Sequence, residues 1–117
     1  MPVDETTIGT ERRRSQRIPL AVPIDVTSVT PSQVFGGRCN TIDVSFHGCQ
    51  FFITRPFKHG ERLLICIPDT QRTTSAHVIR SMPAMPGMSV RLWKVAVDLT
   101  QPGNFWEVES PPPDWAF

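Results

Sequence analysis

The chain has 117 residues, 39% of them hydrophobic and 20% charged, and a formal net charge of +1. That length suits one domain with a core of its own, and the near-neutral balance excludes a protein drawn onto DNA or an acidic membrane by its overall field. The cysteines, 3 in number and without CxxC spacing, argue against a disulfide framework and for a reducing compartment. Residues 1–10 are polar and lack the apolar core of a signal peptide, and no apolar run approaches the ~20 residues of a membrane helix. The expectation is a soluble, cytoplasmic protein.

In chain order, residues 1–11 read as a disordered tail. Arg12, Arg13, Arg14 and Arg17 then crowd together just before Ile18-Pro19-Leu20, a local positive charge that the net value hides. Pro19 and Pro23 exclude a long helix and favour extended chain. Val22, Ile24, Val26 and Ser28 alternate with polar or small residues, which predicts a half-buried strand over Val22–Val29. After a turn-rich break at Pro31–Gly37, Arg38–Val44 alternates again, with Cys39, Thr41 and Asp43 on one side and Asn40, Ile42 and Val44 on the other. A DxSxxG turn, Asp43 to Gly48, follows at once. Cys49–Thr54 is a short apolar strand closed by Arg55-Pro56, and Lys58–Glu61 a turn.

Arg62–Ile67 is an almost continuous apolar run, Thr73–Met82 the next strand, and Val90–Leu99 alternates cleanly after a proline-containing loop. Phe105–Val108 is a candidate for one more short strand. Pro111-Pro112-Pro113 is a stiff extended segment, with Trp115 and Phe117 as apolar anchors that could fold back on the body. No window of ten or more residues carries helical periodicity. Short strands separated by Gly and Pro breaks predict an all-β barrel or sandwich, and closing the sheet into a barrel would remove its exposed edges.

Two of these stretches carry chemistry. Arg13 and Arg17 form an RxxxR pair, about 13 Å apart in extended chain. The flat arginine fork makes bidentate bonds to phosphate or to the O6/N7 edge of guanine; the plainer reading is a solvated basic tail. Asp43, at the end of a strand, can cap its own backbone, as can Ser45. It can also accept the N1 and N2 protons of guanine as a pair, a pattern adenine cannot offer. Gly48 suits either reading, by a positive φ or by letting a ligand approach the backbone closely.

Arg13 and Arg17 of RxxxR, together with Asp43, Ser45 and Gly48 of [DN]xSxxG, in this order and in this β context, resemble the PilZ family of bacterial cyclic di-GMP receptors. The likeness runs from about Arg12 to about Val108, with Ala76–Arg80 and Val95–Leu99 similar to the family's late strands. It implies a six-stranded antiparallel barrel with a flexible N-terminal arm, so that residues 12–110 form the domain and 111–117 a Pro-rich tail. It also implies that Arg13 and Arg17 clamp phosphate and guanine, that Asp43 and Ser45 read a guanine edge, and that Gly48 shapes the turn. An arginine just before RxxxR, here Arg12, favours an intercalated pair of ligands, which gives two cyclic di-GMP molecules per protomer.

Other chemistries fare less well. His47, Cys49 and Cys39 match no common metal spacing, no oxyanion donor accompanies a Cys–His pair, and nothing is placed for phosphodiester hydrolysis. The expectation is therefore a receptor that is no enzyme, uses no cofactor or metal, binds neither membrane nor nucleic acid, and passes its ligand state to an unknown downstream protein as the arm becomes ordered. The competing reading is a protein-interaction barrel without a nucleotide, its partner surface the apolar segment Trp106–Phe117, which would equally support a homodimer. A small oligonucleotide-binding barrel is a weaker third, since Trp93, Trp106 and Trp115 form no regular stacking platform.

Overall fold

A computed structural model describes residues 16–29, 36–84 and 92–115. The strands are β1 (Ile18–Pro19), β2 (Pro23–Ser28), β3 (Gly36–Val44), β4 (Gly48–Ile53), β5 (Arg62–Ile67), β6 (Arg72–Pro83) and β7 (Trp93–Leu99), followed by a single 3-10 turn at Pro113–Trp115. Every pairing is antiparallel, in the order β1-β3-β2-β5-β6-β7-β4, and an additional β3–β4 pairing closes the ring. Six strands, β2 to β7, thus form a closed barrel, with β1 as an extra piece. The expected all-β six-stranded barrel is present.

Alternation sets the inside. Ile24, Val26 and Ser28 on β2, and Leu63, Ile65 and Ile67 on β5, are buried while their neighbours are not. The one polar member of that row, Ser28, donates its hydroxyl to Glu61 Oε2 at 2.6 Å, so its burial leaves no unmet donor. Strand β4 departs from alternation: Gly48, Cys49, Gln50 and Phe51 are all buried, because the outer face of its first half is also covered.

Strands β1 and β2 run along the same edge of β3, with Ile18 opposite Val44 and Pro19 opposite Asp43, then Pro23 opposite Asn40. They are one strand interrupted between two prolines, which have no N–H to give the ladder. Thr41 patches the gap: its hydroxyl donates to Leu20 O at 2.6 Å and accepts from Val22 N at 2.8 Å. The Thr41 backbone N–H donates to Val22 O at 3.0 Å.

Two bulges interrupt the ladders, one between Thr41 and Asp43 against β4, the other between Val78 and Arg80 against β7. The first overturns the uninterrupted alternation expected for Arg38–Val44. Thr41 and Val44 are both buried, although an odd count separates them. The extra residue, Ile42, shifts the phase and turns Asp43 to the outer side.

Phe105–Val108 is not a strand. The Asn104 side chain clips it into a turn, accepting from Val108 N at 2.9 Å and donating to Val108 O at 3.1 Å. Glu107 takes a positive φ of 57° within it. The aromatic residues here are not a displayed surface either: Phe105, Trp106 and Trp115 are all buried in the core cluster. The partner surface expected on Trp106–Phe117 is thus occupied by the chain's own barrel at those two tryptophans; Phe117 lies outside the described residues. Arg72 braces the segment, donating to Phe105 O at 3.1 Å and lying 3.3 Å from Glu107.

Candidate functional site

The DxSxxG stretch closes the β3–β4 hairpin, and its polar groups are largely spent on itself. Ser45 N donates to Gly48 O at 2.8 Å, while Gly48 N donates to Ser45 Oγ at 3.1 Å. The Ser45 hydroxyl makes a longer 3.3 Å bond to Gly48 O. The remaining carbonyls are taken from outside: Ser45 O accepts from the Trp106 indole at 3.0 Å, Phe46 O from Gly103 N at 2.9 Å and His47 O from Leu99 N at 2.7 Å. The turn is therefore pinned by the C-terminal segment, a contact between residues too far apart in sequence for any local pattern to reveal.

Gly48 has no positive φ. A Cβ there would sit 1.9 Å from Val97 O. Of the two roles expected for this glycine, the positive φ is absent, and the close approach found is that of the neighbouring strand β7, not the ligand approach expected. Gly48 pairs with Asp98 in that strand, so its missing side chain lets β4 and β7 meet at the rim.

Asp43 lies opposite both Pro19 of the arm and Gln50 of β4. Gln50, itself 6% exposed, donates its amide to Asp43 Oδ2 at 2.9 Å. The other oxygen, Asp43 Oδ1, is buried with no hydrogen-bond partner among the described residues. A buried carboxylate oxygen left unmet costs on the order of 1–3 kcal/mol or more, so this atom is an acceptor waiting for a donor. Gln50 was not singled out in the sequence, though an amide between Cys49 and Phe51 in an otherwise apolar run is a readable signal.

These groups share one open recess of about 260 Å³, lined by Arg17, Asp43, Ser45, Gly48, Cys49, Gln50, Ile79, Ala96, Val97 and Asp98. Both bulges feed it, one turning Asp43 outward and the other adding Ile79 to its wall. Arg17 enters from the arm, one residue before β1, and makes no hydrogen bond or ion pair with the described residues. Arg12 and Arg13 lie outside the described residues. Burial pushes the Cys49 thiol well above its ordinary range, and a protonated thiol is no nucleophile; Cys49 serves the wall as a small apolar group. The Cys39 thiol is likewise pushed up to about 11 by burial and the nearby Asp25. Among the described residues no group of three or more His, Cys, Asp or Glu is placed to hold a metal ion, and no helix is long and apolar enough to cross a membrane.

Comparison with known proteins places this architecture. Among solved structures, the inhibitor of motility MotI/DgrA of Bacillus subtilis superposes with a TM-score of 0.53 at 19% identity, over 80% of this chain and 44% of that one. This chain thus spans less than half of that protein's length. The PilZ domain of YcgR from Escherichia coli, in a structure with c-di-GMP, superposes with a TM-score of 0.50 at 15% identity, over 76% of this chain and 78% of that one. At such identities the likeness concerns the fold alone. No curated protein matches. The profile of the PilZ domain matches residues 11–101, and with most of its length so matched, the chain belongs to the PilZ family.

Proposed function

We propose that the chain is a receptor for cyclic di-GMP and acts as an adaptor, its N-terminal arm ordering over the ligand. The observation that carries this is the recess itself: Asp43, whose Oδ1 has no hydrogen-bond partner among the described residues, lines it together with Arg17, whose guanidinium is unpaired among them. A guanine presents adjacent N1 and N2 donors to the first, and its phosphate or O6/N7 edge suits the second. The c-di-GMP bound by the YcgR PilZ domain and the family membership support the same assignment.

The recess is open, and its volume of about 260 Å³ includes solvent at its mouth, so it does not enclose a ligand by itself. A cyclic dinucleotide would be only partly seated, and the arm must cover the rest. Arg13 joins Arg17 as the clamp, and Arg12 stacks on a second ligand molecule, giving two per protomer. Gly48 keeps the rim thin. Ser45 can exchange its long bond to Gly48 O for one to the base edge. The bound arm is then the altered surface that a downstream protein reads in the cytoplasm, and the chain performs no chemistry on its ligand.

Titration calorimetry with cyclic di-GMP, with GTP as control, tests the assignment. A micromolar site corresponds to about −8 kcal/mol, within reach of several charge-assisted bonds less the cost of ordering the arm. Arg17→Ala and Asp43→Ala should each weaken binding by about tenfold or more. Unchanged affinity in both would refute the site. One ligand per protomer would remove the role given to Arg12.

A further inference from the structure

The two ends of the chain meet at one residue. Gln16 N donates to Asp114 Oδ2 at 2.8 Å, and the Trp115 indole N–H donates to Gln16 O at 2.8 Å. Consecutive residues of a single 3-10 turn thus take both backbone groups of Gln16, at sequence separations of 98 and 99. The Gln16 side chain is exposed, so its own packing does not draw it there. The holder is rigid: Trp115 is 4% exposed within the core cluster, and its backbone N–H donates to Pro112 O at 3.0 Å.

The position matters more than the bonds themselves. Gln16 directly precedes Arg17, and Ile18, directly after it, is in the ladder opposite Val44. Arg17 is therefore fixed on both sides, by the clasp at Gln16 and by the sheet at Ile18. Remove the clasp and β1 begins with a free end, two residues long and weakened by Pro19. A terminus not tied down frays, and Arg17 would lose the conformation that directs it into the recess.

Resting on the reading of the recess as a cyclic di-GMP site, we propose that Asp114 and Trp115 are positioning residues for that ligand: they hold Gln16 so that Arg17 is presented to it. The clasp accounts for a Pro-rich segment beyond the matched family region, whose acidic residue and indole face the start of the arm. Its effect is on affinity, through conformational entropy of the arm that need not be lost again on binding.

The full chain is used for the test, in two measurements. In ligand-free protein, trypsin cleavage after Arg17 is followed by mass spectrometry, with cleavage after the exposed Lys58 as internal reference. Asp114→Ala and Trp115→Phe, which keeps a ring but loses the donor, should each raise the Arg17 to Lys58 ratio about fivefold, the equivalent of one lost hydrogen bond. In calorimetry the same variants should bind cyclic di-GMP about fivefold more weakly, and Asp114→Asn, which retains an acceptor, should restore both values. A purely structural role would lower thermal stability and raise both cleavages together, leaving the ratio unchanged. Wild-type ratios, or faster cleavage with unchanged affinity, would overturn the proposal. A wild-type chain that binds no cyclic di-GMP would instead overturn the ligand reading, while the cleavage ratio still decides whether the clasp holds Arg17.

Discussion

Two turns of this barrel look alike on paper and do opposite things. Ser45–Gly48 and Lys58–Glu61 each contain a glycine and are closed by a side chain, Ser45 Oγ in the first and the Glu61 carboxylate, which accepts from Lys58 N at 3.0 Å, in the second. Gly60 has a φ of +84° and open space where a Cβ would go, whereas Gly48 has no positive φ and no space at all. Gly60 answers a demand of its own backbone, Gly48 a demand of its neighbour. Only the Gly48 kind thins the wall between two strands, and that is the one beside the recess.

The difference can be broken most severely at Gly48. Gly48→Ala drives a methyl into the Val97 carbonyl and must part β4 from β7. A loss of about 3 kcal/mol or more in chemical denaturation is expected, together with loss of cyclic di-GMP binding. Gln50→Leu is milder and separates shape from polarity: the volume stays, while Asp43 Oδ2 loses its donor. Affinity in calorimetry should fall about fivefold, and a wild-type value would show that Gln50 does not orient Asp43. Gly60→Ala meets no atom and only a conformational penalty, so the denaturation free energy should drop by about 1 kcal/mol with affinity unchanged. Gly60→Asn, a residue that tolerates left-handed backbone, should cost only a few tenths of a kcal/mol on the same scale.

What could be read in advance follows the range of the forces involved. The turn chemistry of Asp43, Ser45 and Gly48 is local and legible, as is the alternation of Ile24 with Val26 or Leu63 with Ile65. Bulges are not local. Ile42 and Ile79 become extra residues only when β4 and β7 fix the register opposite them, and nothing in Arg38–Val44 reports that partner. The turn motif alone cannot say why Gly48 is a glycine, because the atom that crowds it, Val97 O, comes from the last strand of the barrel. Phe105–Val108 has the composition of a strand, but Asn104 offers its backbone a nearer set of hydrogen bonds than any sheet edge. Trp106 and Trp115 looked equally fit for a displayed surface or for burial. Their indole donors decided it, finding Ser45 O and Gln16 O across the length of the chain.

The break between β1 and β2 has a thermodynamic consequence. The barrel is already closed by β2, so Ile18 and Pro19 can leave β3 without opening the ring. Pro19 brings no N–H to the ladder, and Thr41 remains with its own backbone bond to Val22. Detachment of this short strand is therefore a sub-global opening, with a free energy well below that of unfolding the core. Native-state hydrogen exchange should see two populations: the amide of Leu20, bonded to Ile42 O at 3.3 Å, exchanging early, and the inward amides of β4 and β7 exchanging only with the whole domain. A strand that can come off by itself gives the barrel a second, cheaply reached conformational state at one edge of its recess.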